Sequence, residues 1–369
     1  MTIAAEQPKY VQLAARLRES IRSGELKAGD RLPSYTEMYR EFGATTATVQ
    51  RVCHLLEQEN LIERRSGSGI YVAETTRTLT GNIGILGKAD FRAHAGSFFS
   101  HLAFGVQAAA EERGQQLVWL HKGEDCENFD NVDGLLLSGH PTYVNQRIAH
   151  TKPVHMPCVS MFITAEGMNS VVVDDYSAAK IATRHLLDLG HQHIACLMLD
   201  GKHTPQIPSS RIAGYQDALQ EAGITPDARW LTRPHYPDLA RPRSITQQQS
   251  MLEWGRQEMQ NWLKAGWRDL GCTAILAQND HIAIGIMQVL QEEGINVPHQ
   301  VSVMGFDGTE LCDHTTPRLS SMQLPLDQIG IRAVNLLVDQ INSRQPGEEL
   351  VVLSGRLRPG ASTAPVPSS

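Results

Sequence analysis

The chain has 369 residues, two to three times a common single-domain length, so several packed units are expected rather than one core. Hydrophobic residues make up 41%, charged residues 20% and aromatics 6%, values that exclude a mostly disordered or collagen-like chain. The 33 Lys/Arg and 40 Asp/Glu give a net charge of −7, which excludes a strongly basic nucleic-acid binder acting through bulk field alone.

In chain order, Leu13, Leu17 and Ile21 recur every four residues and predict a first helix that Gly24 ends. Ser34-Tyr-Thr-Glu37 has the form of a capping box and opens a second helix that stops at Gly43. Thr45 caps a third, with Val49, Val52 and Leu56 inward and Thr46, Ala47, Gln50, Arg51 and His54 outward. Two helices joined by a short glycine-containing turn describe a helix-turn-helix. The runs 61–65 and 70–72 around Ser66-Gly-Ser-Gly69 read as a hairpin, and together these elements predict a winged helix-turn-helix over residues 1–74. This head carries its own charge balance: residues 1–77 hold 11 Lys/Arg against 10 Asp/Glu, or +1, which leaves −8 for the remainder.

Residues 75–80 read as a linker. From Ile83 onward, short apolar runs alternate with amphipathic stretches, the pattern of parallel sheets crossed by helices. Strands are expected at 83–86, 117–120, 134–137, 154–159, 171–173, 194–199, 274–277, 301–305 and 350–353. Helices are expected near 98–113, 176–189, 210–222, 244–264, 281–293 and 325–342. Nine strands suit two doubly wound lobes with a cleft between them over 81–358. The Pro/Ser/Ala stretch 359–369 reads as a flexible tail. No run approaches the roughly 18 to 20 apolar residues of a membrane helix, and the first residues lack a basic-then-apolar leader, so a cytoplasmic protein is expected.

Two resemblances attach to these segments. Leu32-Pro-Ser34, Phe42-Gly43, Thr45 to Val49, Leu55-Leu-Glu57 and the block from Leu61 to Val72 resemble the winged-helix domain of GntR-type bacterial regulators. That family usually has arginine where this chain has Thr36, Thr46 and Gln50. Val173-Asp-Asp175, the block from His185 to His191, Ser210-Arg-Ile-Ala-Gly-Tyr215, Asn279-Asp280, Val303-Met-Gly-Phe-Asp307 and Pro317-Arg-Leu319 resemble the LacI/GalR-type effector domain, a periplasmic-binding-protein-like fold. The combination is similar to chimeric regulators of the arabinose-repressor type.

Candidate DNA contacts follow on three surfaces. Thr45, Thr46, Ala47, Thr48, Gln50 and Arg51 lie on or beside the face that a recognition helix turns to the major groove, where Gln suits adenine and Arg suits guanine. Arg65, Ser66, Gly67 and Ser68 form the wing, and glycine there permits close approach to a groove. Ser34 reads first as a helix cap, yet a helix N-terminus can also hold a phosphate, where Tyr35 and Thr36 would join it.

In the effector segment, Asn279 and Asp280 follow a strand at its carboxyl end, where doubly wound sheets bind ligands, although Asp280 could simply cap the next helix. The resemblance implies ligand contacts at Asp280 and Arg211 and stacking at Phe98 and Phe99. Asp174, Asp175 and Asp307 are assigned to capping or lobe closure. His191 and His193 lack a third partner at metal spacing, and the six cysteines form no C-x-x-C pair, so neither metal nor cofactor is expected. No catalytic motif recommends an enzyme.

These observations describe a ligand-responsive transcriptional regulator: a homodimeric repressor of double-stranded operator DNA, answering to a sugar or sugar derivative. The alternative is a sugar receptor whose head binds protein rather than DNA.

Overall fold

A computed structural model of the protein describes residues 9–43, 45–59, 61–65, 68–73, 79–87, 98–120, 129, 131–138, 156–165, 167–198, 210–232, 247–343 and 347–366. The head comprises α1 (Lys9–Arg22), α2 (Tyr35–Phe42), α3 (Thr46–Gln58) and an antiparallel hairpin of β1 (Ile62–Arg65) and β2 (Gly69–Val72). Its core is what the four-residue spacing requires. Leu13, Leu17 and Ile21 of α1 meet Val49, Val52 and Leu56 of α3, and Ile62, Ile70 and Val72 of the hairpin close the cluster. Ser34 and Glu37 exchange side-chain and backbone hydrogen bonds as a capping box, and Gly43 ends α2 in the left-handed region at φ 59°. Arg18 donates twice to the Glu59 carboxylate at 2.6 Å, fastening α1 to the end of α3.

The remaining chain builds two parallel sheets, each of six strands among the described residues. The N-lobe sheet runs in the order β13-β7-β6-β5-β3-β4, from β3 (Asn82–Gly87), β4 (Gln116–Leu120), β5 (Gly134–Ser138), β6 (Cys158–Met161), β7 (Asn169–Val173) and β13 (Leu350–Leu353). Helices α4 (Phe98–Glu112) and α10 (Leu326–Ser343) cover one face of it. The C-lobe sheet runs β14-β12-β11-β10-β8-β9, from β8 (Ile194–Leu197), β9 (Leu231–Thr232), β10 (Ala274–Ala277), β11 (Ser302–Asp307), β12 (Ser320–Gln323) and β14 (Arg356–Arg358). In this lobe α5 (Asp175–Asp188) and α6 (Ser210–Glu221) pack on one face. On the other lie α7 (Gln247–Lys264), the short α8 (Trp267–Leu270) and α9 (Asp280–Glu292). The helices of each pair touch backbone to backbone. A Cβ on Gly285 of α9 would stand 2.1 Å from the Leu252 carbonyl oxygen, and one on Gly255 of α7 would stand 2.3 Å from that of Ile282.

The described chain passes between the lobes after β7, after β12 and between β13 and β14, so the lobes share a three-stranded hinge. Both sheets are parallel apart from β14, as the alternation of apolar runs and helices predicts, but some strands lie outside that pattern. β9, β12 and β14 were not expected: β9 is two residues long, and β12, Ser320-Ser-Met-Gln323, lacks the apolar run of a buried strand. Of the strand expected at 154–159, residues 154 and 155 lie outside the described residues, 156 and 157 are not in a strand, and the strand found runs Cys158–Met161.

The carboxyl-terminal stretch is a further correction. Residues 359–366 do not fray; they run along the C-lobe. Ser362 is fully buried, accepts from Ser320 N at 2.8 Å and donates to the Val303 carbonyl at 2.6 Å, while Val366 N donates to Leu189 O at 2.9 Å. Small polar residues suit this path because their hydroxyls satisfy buried backbone groups that a larger apolar side chain could not. His191, buried beneath the segment, lies 3.0 Å from the Ala364 carbonyl and 2.8 Å from Thr273 Oγ1, and burial lowers its pKa.

Candidate nucleic-acid interface and effector cleft

Thr45 caps α3, its hydroxyl accepting from Thr48 N at 3.3 Å, and this aims the first turn of the helix outward. Thr46, Ala47, Gln50 and Arg51 are exposed along that face, and Thr48 is half-buried. The Arg51 guanidinium folds back over the Tyr10 ring of α1, 4.2 Å from its centroid. At the wing, Arg65 pairs with Glu63 at 2.7 Å and lies 4.6 Å from the Tyr71 ring centroid; Ser68 Oγ and Tyr71 OH are 2.6 Å apart. Ser66 and Gly67 fall outside the described residues. Ser34 acts as the cap of α2, and the Glu37 carboxylate already accepts from Ser34 N at 2.6 Å. That bond holds the Glu37 pKa below the usual carboxylate range, so a phosphate brought to this N-terminus would meet negative charge. Tyr35 and Thr36 occupy the first turn of α2, and their side chains are outside the described set.

The linker meets the N-lobe at a buried carboxylate that sequence reading missed. Asp133 accepts from Thr80 N at 2.8 Å, from Thr80 Oγ1 at 3.1 Å and from Gly81 N at 2.7 Å. Residues 80–82 are thereby fixed at the start of β3.

Between the lobes, aromatic groups come from one side and charged groups from the other. Phe98 and Phe99, in the first turn of α4, are half-buried and meet edge to face with centroids 5.2 Å apart. Phe162, just past β6, joins Phe98 at 5.1 Å and has φ 70°, a conformation a bulky residue rarely adopts without cause. From the C-lobe, Arg211 donates to Asp175 at 2.7 Å and to the Gln278 carbonyl at 2.7 Å, and its guanidinium lies 4.3 Å from the Phe306 ring centroid. His101 of α4 and Glu310, beyond β11, pair across the cleft at 2.8 Å.

Two carboxylates depart from expectation. Asp280 is fully buried and its carboxylate is consumed internally: Ser321 Oγ donates at 2.5 Å, Thr309 N at 3.1 Å and Cys312 Sγ lies at 3.4 Å. It offers no oxygen to a cleft ligand, and the cap of α9 is Asn279, which accepts from Ile282 N at 2.9 Å. Burial raises the Asp280 pKa to about 6, against the lowering effect of those hydrogen bonds. Asp307, assigned from sequence to structure, instead stands half-buried at the strand end with φ 102°, beside Arg211 and Asp175. Burial, then the neighbouring Asp280 charge, raises its pKa well above the ordinary value. Asp174 is the cap expected of it, accepting from Ser177 N at 2.9 Å. Rings on one lobe can stack on the apolar face of a small polar molecule, and a guanidinium and carboxylates on the other can give and take hydrogen bonds at its hydroxyls. Among the described residues no group of three or more His, Cys, Asp or Glu could hold a metal ion, and no helix is long and apolar enough to cross a membrane.

The fold and site define a hinged two-lobed ligand receptor joined to a winged-helix head. Residues 9–72 match bacterial regulatory proteins of the gntR family, and residues 183–363 match a periplasmic binding protein-like domain. An arabinose metabolism transcriptional repressor from Geobacillus stearothermophilus is 24% identical over 369 aligned positions, covering 91% of this chain and 92% of that protein. A ribose operon repressor from Escherichia coli is 28% identical over 256 residues, 66% of this chain and 72% of its own. A LacI family transcriptional regulator from Enterococcus faecium, solved with bound ribose, has the same fold at TM-score 0.61 and 23% identity, covering 78% of this chain and 100% of that one. The chain thus carries a GntR-type head and a periplasmic-binding-protein-like domain, is similar to arabinose-repressor-type regulators, and functions as a ligand-responsive DNA-binding transcriptional regulator.

Proposed function

We propose that this regulator acts in the cytoplasm as a homodimeric repressor, its two heads reading a two-fold related operator, and that a sugar or sugar derivative held between the lobes changes operator affinity. The observation that carries this reading is the placement of Phe98, Phe99 and Phe162 on one lobe and of Arg211, Asp175 and Asp307 on the other, with His101 and Glu310 paired between the lobes. The sugar operons in the names of the relatives support the effector class. A ligand that contacts both sets of groups binds the closed lobes better than the open ones, and only that difference can shift the equilibrium. A coupling of about 1 to 3 kcal/mol changes operator affinity about 5- to 150-fold. Effector is bound and released unchanged.

The test has two stages. A thermal-shift panel of pentoses, hexoses, sugar acids and nucleosides should single out a ligand that raises the melting temperature by mass action. Fluorescence anisotropy on DNA upstream of the chain's own coding sequence should then change with that ligand present. DNA affinity that ignores every stabilising ligand refutes the switch, and chemical conversion of the ligand refutes the binding-only reading.

A further inference from the structure

Several cations of the head are engaged within the protein. Arg18 is committed to Glu59, Arg64 to Glu57 and Arg65 to Glu63, while Arg51 stacks on Tyr10. The exposed face of α3 otherwise presents Thr46, Ala47 and Gln50, which are neutral. A DNA-binding surface needs positive charge to displace condensed counterions, and hydroxyl and amide groups cannot supply it.

Arg31 is placed to do so. Its backbone forms an antiparallel bridge with Tyr71 of the wing, and the next residue, Leu32, donates its N–H to Ile70 O at 2.8 Å. The segment before the helix-turn-helix is therefore stitched to β2 as a third edge. The Arg31 side chain extends over Gly69, so that a Cβ there would stand 2.9 Å from its Nε. The absence of a side chain at Gly69 is what leaves room for the guanidinium beside the wing. Arg31 is exposed and, among the described residues, has no carboxylate within ion-pair distance; Glu37, which feels its charge, is tied up in the capping box. The chain thus holds a guanidinium at the junction of the wing with the loop into α2, with its backbone immobilised.

We propose that Arg31 is a DNA-phosphate contact of the head, held between the wing and the start of the helix-turn-helix. It rests on the DNA-binding reading of the head. A phosphate contact positions the protein without reading sequence, so its loss weakens binding to all duplexes alike.

The test compares full-length wild type, Arg31→Gln and Arg31→Lys by anisotropy on two 40-base-pair duplexes, one from upstream of the chain's own coding sequence and one unrelated, from about 50 to 300 mM salt. Arg31→Gln should lower affinity about 3- to 10-fold on both duplexes at low salt and reduce the slope of log K against log salt by about 0.9, the value for one phosphate contact. Arg31→Lys should keep the slope, because the point charge remains. A slope unchanged in Arg31→Gln overturns the proposal, as does a loss confined to the first duplex, which would mark a base contact. A wild type that binds neither duplex overturns the DNA-binding reading itself. Circular-dichroism melting checks that the variants fold, and a slope that falls equally in Arg31→Lys would show that the charge is not what matters.

Discussion

The Asp133 anchor gives a prediction whose size can be worked from three bonds. Both carboxylate oxygens are used, one by Thr80 N and Thr80 Oγ1 and the other by Gly81 N. Asp133→Asn keeps the shape but turns an NH2 group toward one of those N–H donors, removing one charge-assisted bond and neutralising the acceptor of the rest. Such a loss at a buried site costs about 2 kcal/mol. If the junction opens locally, its open population rises by the corresponding Boltzmann factor, about 30-fold, and the amides of Thr80 and Gly81 exchange faster by the same factor. Hydrogen exchange read by mass spectrometry on a peptide covering 79–87 measures this directly and needs no effector. The head should still bind DNA with near wild-type affinity, since none of its residues is touched, while the change in affinity caused by an effector should shrink because the linker no longer follows the N-lobe. Exchange within about threefold of wild type would show that these bonds do not hold the junction and that the linker is fixed elsewhere.

Other perturbations separate the parts of the molecule. Gly285→Ala should lower stability by about 1 to 3 kcal/mol in urea melts despite the better helix propensity of alanine, because the 2.1 Å approach to Leu252 O forces α7 and α9 apart; a variant as stable as wild type would refute the close contact. Asp307→Asn should weaken binding of the panel-selected ligand at least about tenfold and leave ligand-free DNA affinity within about twofold; unchanged ligand affinity would return Asp307 to a structural role. Acid should act on the C-lobe in two opposing ways. His185 and His191 have pKa values lowered by burial, so their contribution is present above about pH 6.5 and is lost as pH falls through their folded values. Asp280, raised to about 6, has the opposite sign: its burial penalty at neutral pH disappears as pH falls toward 3.8. His191→Gln should therefore flatten the loss of stability just below pH 6.5, as read from urea midpoints across pH, and a profile as steep as wild type would exclude His191 as its source.

Local signals that recur in the chain were legible. The Ser34 to Glu37 box, the glycine stop at 43 and the inward Val49, Val52 and Leu56 specify the head because each depends on neighbours a few residues away. The alternation of apolar runs and helices likewise specified two parallel sheets. What escaped was decided by residues far apart in sequence. The serines of β12 look like a loop until the end of the chain and Asp280 supply their hydrogen bonds, more than 40 positions away in each case. Asp280, read as a ligand contact, and Asp307, read as structural, both follow strands, yet the first turns into the lobe and the second remains at its edge in a left-handed conformation, a difference of backbone geometry rather than composition. Phe162 carries no motif and enters the site only because its backbone turns toward Phe98.

The docking of residues 359–366 on the C-lobe has a practical outcome for building a reporter. Val366 is tethered to Leu189, so a fluorophore fused beyond it would ride with that half of the receptor, whereas one inserted near Leu79 would ride with the other. Energy transfer between the two dyes would then register the jaw-like movement of the hinge in solution, without DNA and whichever metabolite drives it.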